Sequence, residues 1–143
     1  MERTIYTTPQ DAETAFYAAL EKADLDAMMS VWADDEEIIC VHPGGVRLCG
    51  VDQVRAAWRQ IFASGQTLRI RLRHHQALNG VTLAVHSVFE EIAVSGATQT
   101  QNPVIATNIY MRTGNGWRMV VHHASISPAP PEPDTKRAPK TLH

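Results

Sequence analysis

A change of hydrophobic period near residue 67 constrains this chain more than any other feature. Before it, apolar residues recur at the spacing of helices. From Thr67 onward the stretch LRIRLRHHQALNGVTLAVHSVF alternates apolar with polar residues, as a sheet with one solvated face does. Helices first and long strands last imply an α+β domain, with the helices packed on one face of an antiparallel sheet. Asn79-Gly80 is a strong short hairpin signal. If those two residues are the whole loop, Leu68, Ile70, Leu72 and His74 share the core face with Val85, Ser87, Phe89 and Glu91. Arg69 then lies across from Glu90, and Arg73 across from His86. Two more strands follow, Val104 to Arg112 and Trp117 to Ser127, joined through Gly114-Asn115-Gly116.

In the first half, Thr8 reads as an N-cap, with Pro9 at the first helical position and Asp11 closing a variant capping box. The spacing predicts a helix over about 9–23, with Ala12, Phe16, Ala19, Leu20 and Ala23 on its apolar stripe. Asp24 caps a second, short helix that turns Leu25, Met28, Met29 and Trp32 inward. Ile38 to His42 and Val46 to Cys49 are short strands around the Pro43-Gly44-Gly45 turn. A third helix is expected over 50–63, with Val54, Ala57, Trp58 and Ile61 on one side. The acidic run from Asp34 to Glu37 reads as a solvated loop, and the Pro-rich, charged segment 128–143 as a disordered tail after a single domain over 1–127.

With 143 residues and 44% hydrophobic content, the chain can bury roughly 70% of its unfolded surface. Its 13 basic and 15 acidic residues supply no basic field of the kind nucleic-acid binding requires. The opening MERTIYTTPQ has no apolar leader core, and no stretch reaches the ~20 apolar residues of a membrane helix. A cytoplasmic location is therefore expected, without membrane or nucleic-acid partners. Cys40 and Cys49 flank the HPGG turn, where a hairpin could set them opposite each other; in a reducing compartment they read as buried thiols rather than a disulfide.

The order helix, short helix, small hairpin, helix, long antiparallel strands resembles the nuclear-transport-factor-2-like superfamily. Three stretches carry the resemblance further: DLDAMMSVWADD, HPGGVRLCG leading into DQVRAAWRQIF, and GWRMVVHHAS on the last strand. Over roughly residues 10–127 these look like SnoaL-like, ketosteroid-isomerase-related proteins. The last strand is also similar to that of the calcium/calmodulin-dependent protein kinase II association domain. The resemblance implies a cone in which three helices close a strongly bent antiparallel sheet over a pocket for a small organic molecule. It also implies a homodimer packed through the outer sheet face. It leaves two functions open: a ligand-binding domain with isomerase or lyase-type activity, or an oligomerisation module without catalysis.

Ketosteroid isomerases use a carboxylate base with a tyrosine and a protonated acid. The residue before the turn proline, their base position, is here His42, and the position of their tyrosine holds Phe16, with Tyr17 beside it. Their catalytic residues are thus not matched, and whether the chain is an enzyme stays open. His42 is a candidate base or donor, or an anchor of the tight turn. His122 and His123 are neighbours on a strand and point to opposite faces. The more apolar stripe of Val120, His122 and Ala124 favours His122 in the pocket and His123 on a dimer surface, with a purely structural role for both as the alternative. The candidate catalytic residues are therefore His42 and His122, and the candidate ligand-binding residues are Tyr17, Trp32, Trp58, Asn108 and His122. Glu91 draws notice because the expected register puts a carboxylate on the core face. His74-His75 and His122-His123 are neighbour pairs, and no HxH, HExxH or CxxC spacing occurs. Neither a metal nor a cofactor is expected, and Gly44-Gly45 reads as a turn.

Overall fold

The computed structural model describes residues 3–94 and 102–129. Most of the expected tail, from residue 130 on, lies outside the described residues. Helix α1 (Pro9–Lys22) begins where Thr8 Oγ1 accepts the Asp11 N–H at 3.0 Å, and it ends with Ala23 in the left-handed conformation. Asp24 caps α2 (Leu25–Val31) in the same manner, accepting from the Ala27 N–H at 3.0 Å. Then come β1 (Ile39–Val41), β2 (Arg47–Cys49), α3 (Val51–Phe62), β3 (Leu68–Asn79), β4 (Leu83–Val94), β5 (Val104–Thr113) and β6 (Gly116–Ile126). The helices pack on one face of a curved six-stranded sheet of order β2-β1-β6-β5-β4-β3. The sheet is mixed, not purely antiparallel, because β1 lies parallel to β6 with Cys40 beside His122.

Several expectations about side chains change. The N-cap of α1 stands, as does its stripe through Leu20, but Ala23 lies past the helix end and is only half-buried; Glu13 and Tyr17 are also buried, so the inner face carries two polar groups one turn apart. On α3, Val54 and Trp58 are buried while Ile61 is 40% exposed; Phe62 takes the next inward place, its ring 5.5 Å from that of Trp58. Cys40 is buried but Cys49 is exposed, and both are free. They are not opposite each other, because Cys40 pairs with Leu48, and Cys49 with Ile39.

The β3–β4 hairpin departs most from expectation. Its chain reversal falls at Val81-Thr82, two residues beyond Asn79-Gly80, and is closed by the Gly80 N–H donating to Leu83 O at 2.8 Å. A Cβ on Gly80 would stand 2.7 Å from that same oxygen, which is why a residue without a side chain sits there. Further down, a bulge lies between Arg73 and Gln76, with His74 at φ 53°. An extra residue in one strand reverses which face later residues occupy. Leu68, Ile70 and Leu72 therefore pair with Val94, Ile92 and Glu90, while Ala77 pairs with His86. Arg69 pairs with Ala93 rather than Glu90, and Arg73 with Phe89 rather than His86.

As a result the inner face of β4 is Ala84, His86, Val88 and Glu90, all buried, and not Val85, Ser87, Phe89 and Glu91. Glu91 stands on the outer face, where its carboxylate meets Arg73 Nη1 at 2.7 Å. The apolar alternation of β4 misleads because its outer face carries the larger apolar side chains, Val85 and Phe89, which with Ile105, Ile109 and Val121 on the neighbouring strands are only partly covered. On β4 the inner face instead carries His86 and Glu90 between the small Ala84 and Val88.

Candidate functional site

The register of the sheet lines up its interior polar side chains. His86 pairs with Asn108, and Asn108 with His122, making one row across β4, β5 and β6. Glu13 and Tyr17 descend on this row from α1. Asn108 is the junction: its Nδ2 donates to Tyr17 Oη at 2.9 Å and to Glu13 Oε2 at 3.3 Å, while its Oδ1 faces His122 Nδ1 at 2.6 Å. An amide oxygen only accepts, so His122 carries its proton on Nδ1 and presents Nε2 as an acceptor. Burial, with the charges of His42 and His123, pulls the His122 pKa down to about 3, so the ring stays neutral.

Tyr17 is in turn a donor. Its hydroxyl donates to Glu90 Oε2 at 2.5 Å, and burial together with the negative Glu90 beside it raises the phenol pKa far above its ordinary value. Burial likewise raises Glu90 to about 7; the Tyr17 hydrogen bond opposes that rise, and the charge of Glu13 adds to it. Glu90 therefore changes protonation near neutrality while held in one orientation. It lines an open cleft of about 390 Å³ together with Pro43, Ile92, Asn102, Val104 and Ile126. Four of its lining side chains are apolar, and Glu90 and Asn102 are the polar ones.

Glu13 forms the other end of the network. Tyr110 Oη donates to Glu13 Oε2 at 2.9 Å, His75 Nε2 lies 2.8 Å from Oε1, and His86 Nδ1 lies 3.1 Å from Oε2. Burial pushes this carboxyl up, but the His86 and His75 rings and the Tyr110 hydroxyl outweigh it and hold the pKa at about 2. The bulge at His74 explains why His75 reaches inward at all. The potential ligand atoms of Glu13, His75 and His86 all lie within 4.8 Å of one another. This is the set of described residues able to hold a metal, and no short spacing announces it, since its members come from α1, β3 and β4.

Of the residues expected at a site, Tyr17, Asn108 and His122 are joined by hydrogen bonds directly behind Glu90. Trp58 stands apart from that chain in an aromatic layer, with ring centroids 5.8 Å from Phe16, 6.2 Å from His122 and 4.6 Å from His42. His42 is lowered in pKa by burial, and its Nε2 is 3.6 Å from Cys40 Sγ. Trp32 is wholly buried at the end of α2 and bridges Met119. His123 is exposed on the opposite face from His122. Sequence reasoning missed Glu13 and Glu90; the i, i+4 pair Glu13 and Tyr17 on a helix already expected to face the sheet was the available signal for the first.

A curved sheet with three helices on its inner face and an opening lined by Glu90 defines the nuclear-transport-factor-2-like cone, and solved structures agree. A protein from Thiobacillus denitrificans, provisionally named a calcium/calmodulin-dependent protein kinase type II association domain, is similar at 37% identity and a TM-score of 0.78, over 87% of this chain and 99% of that one. A provisional dehydratase of the NTF2-like family from Streptomyces avermitilis matches at 32% identity and a TM-score of 0.75, over 82% and 92%. Within that class, the chain belongs to the SnoaL-like domain family, whose model matches residues 10–130. A curated relative, the F-box protein SKIP8 of Arabidopsis thaliana, is 25% identical over 121 residues; the match takes in 79% of this chain and 47% of the relative, about half its length. Among the described residues no helix is long and apolar enough to cross a membrane.

Proposed function

We propose that the chain binds a small, largely apolar organic molecule in the cleft and that Glu90 moves a proton to or from it. The observation that carries this reading is a single one. A buried carboxyl with a pKa of about 7 borders a cleft that is apolar but for Asn102, and a tyrosine that keeps its own proton fixes its orientation. General acid–base catalysis is most efficient when the group titrates near the working pH. The ligand class that fits is a carbonyl compound with an acidic neighbouring C–H, for isomerisation or elimination of water. Glu90 as carboxylate would take that proton, and as the acid return it at another carbon or to a leaving hydroxyl. The resemblance to a dehydratase named in a relative supports the same class. An association module, as the other relative's name suggests, would leave the Glu90 cleft without a role.

We also place the protein in the cytoplasm as a dimer closed through its outer sheet face, where Val85, Phe89, Ile105, Ile109 and Val121 form a half-covered apolar patch. The test of the main reading is hydrogen–deuterium exchange, followed by proton NMR, at the carbon next to the carbonyl across a panel of small ketones and enones. Wild type should speed exchange in at least one compound, and Glu90→Gln should lose that acceleration. Equal exchange by wild type and variant across the panel overturns the assignment.

A further inference from the structure

Glu13, His75 and His86 form a second cluster, on the far side of Asn108 from Glu90. We infer that these three side chains form a binding site for one first-row divalent transition-metal ion of the zinc or cobalt type. Two imidazole nitrogens and one carboxylate are the donor set that such ions take, and three protein ligands leave positions free for water or another ligand.

His86, the central member of the set, is wholly buried. Its Nε2 lies 3.2 Å from Asn79 Oδ1. That oxygen also accepts from Gln10 Nε2 at 3.3 Å, in keeping with an Asn79 amide whose oxygen faces His86. An amide oxygen accepts only, so Nε2 carries a proton; a neutral ring then has a bare lone pair at Nδ1, whereas the pull on the Glu13 carboxyl comes from the ring carrying a second proton there. Nδ1 is 3.1 Å from Glu13 Oε2 yet makes no hydrogen bond to it or to any other described group. Two acceptors facing each other inside a protein call for a positive centre between them, and an unmatched buried acceptor is costly. A proton on Nδ1 would make an ion pair, but one too bent to be a hydrogen bond. A metal ion needs no such line-up between nitrogen and oxygen, because each atom points at the ion and not at the other.

The surroundings have the form of an outer shell. Metal-bound imidazoles almost always donate their second nitrogen to a neighbouring acceptor, as His86 does to Asn79, and bound carboxylates are themselves hydrogen-bonded, as Glu13 is by Tyr110 and Asn108. His75 closes the set from the solvent side: its side chain is 38% exposed, against 7% for Glu13 and 0% for His86. An ion therefore has a way in past His75 and a solvated side for its open positions.

The experiment uses the tag-free full chain, stripped with a chelator and titrated with Co²⁺, with visible absorbance and calorimetry as readouts. One equivalent per chain should bind with d–d bands of a nitrogen- and oxygen-ligated ion, and Zn²⁺ should displace it. His75→Ala, at an exposed ligand whose loss leaves the core intact, should lose the bands and weaken binding by more than about tenfold, and Asn79→Ala, which touches no ion, by roughly 10–100-fold. His123→Ala, on the outer face, should bind as wild type does. No stoichiometric cobalt binding by wild type overturns the site, as does undiminished binding by His75→Ala. A thermal melt of each metal-free variant checks that folding is retained.

Discussion

Tyr17 Oη donates to Glu90 Oε2 at 2.5 Å, across a junction between the first helix and the fourth strand that are 73 residues apart in sequence. The bond stabilises the charged form of Glu90 against its burial, so the proton affinity of the carboxyl reflects a balance of opposing effects. Tyr17→Phe removes the opposing effect and should move the Glu90 titration upward from about 7. Carboxyl-carbon NMR of glutamate-labelled protein measures the shift; an unchanged or lower midpoint would contradict the balance described.

Proton abstraction by Glu90 requires its carboxylate. Any activity that depends on it as base should therefore rise with pH through a midpoint near 7 and level off above it. A rate profile from pH 5 to 9 with a fixed substrate checks this, and a midpoint near 4.5 would show a solvated carboxylate at work.

The same raised pKa makes a stability prediction. Glu90 holds its proton more tightly folded than unfolded, so its contribution is fully present below about 4.5 and is lost as pH rises through about 7. The span corresponds to on the order of 3 kcal/mol. Glu90→Gln should show a flatter urea midpoint than wild type between pH 5 and 8, gaining on it most at the upper end.

Asn108 bonds Tyr17, Glu13 and His122 at once. Asn108→Ala should destabilise the fold by about 1–3 kcal/mol for each buried partner left unpaired, and more than Asn108→Asp at low pH, where the acid can still serve as both donor and acceptor. Chemical denaturation of both variants at pH 4 makes the comparison.

The two thiols should behave differently. Cys49 is exposed, whereas Cys40 is buried with its pKa pushed up to about 12. Brief alkylation of the native protein should add one group, at Cys49, and peptide mass spectrometry should find no Cys40–Cys49 bridge. If the outer face closes a dimer, Ile109→Arg should yield monomers by analytical ultracentrifugation with the fold intact.

The sequence by itself determined the order of elements and most of their inward apolar positions. Thr8, Pro9 and Asp24 mark helix starts through local hydrogen bonding, and the shift of period near residue 67 marks the strands, because both signals act over a few residues. It also singled out His122 and Tyr17, whose placement follows from strand and helix periodicity. Which carboxylate enters the cone was decided by tertiary structure. One bulge residue at His74, in a left-handed conformation, exchanges Glu91 for Glu90 and turns His75 inward, and no local propensity announces a one-residue slip between strands. Glu13, His75 and His86 likewise become neighbours only when the helix lies across the sheet. Hydrophobic patterning pointed the wrong way on β4, because that strand sets His86 and Glu90 inward and the larger apolar Val85 and Phe89 outward, against the rule by which sequence is usually read.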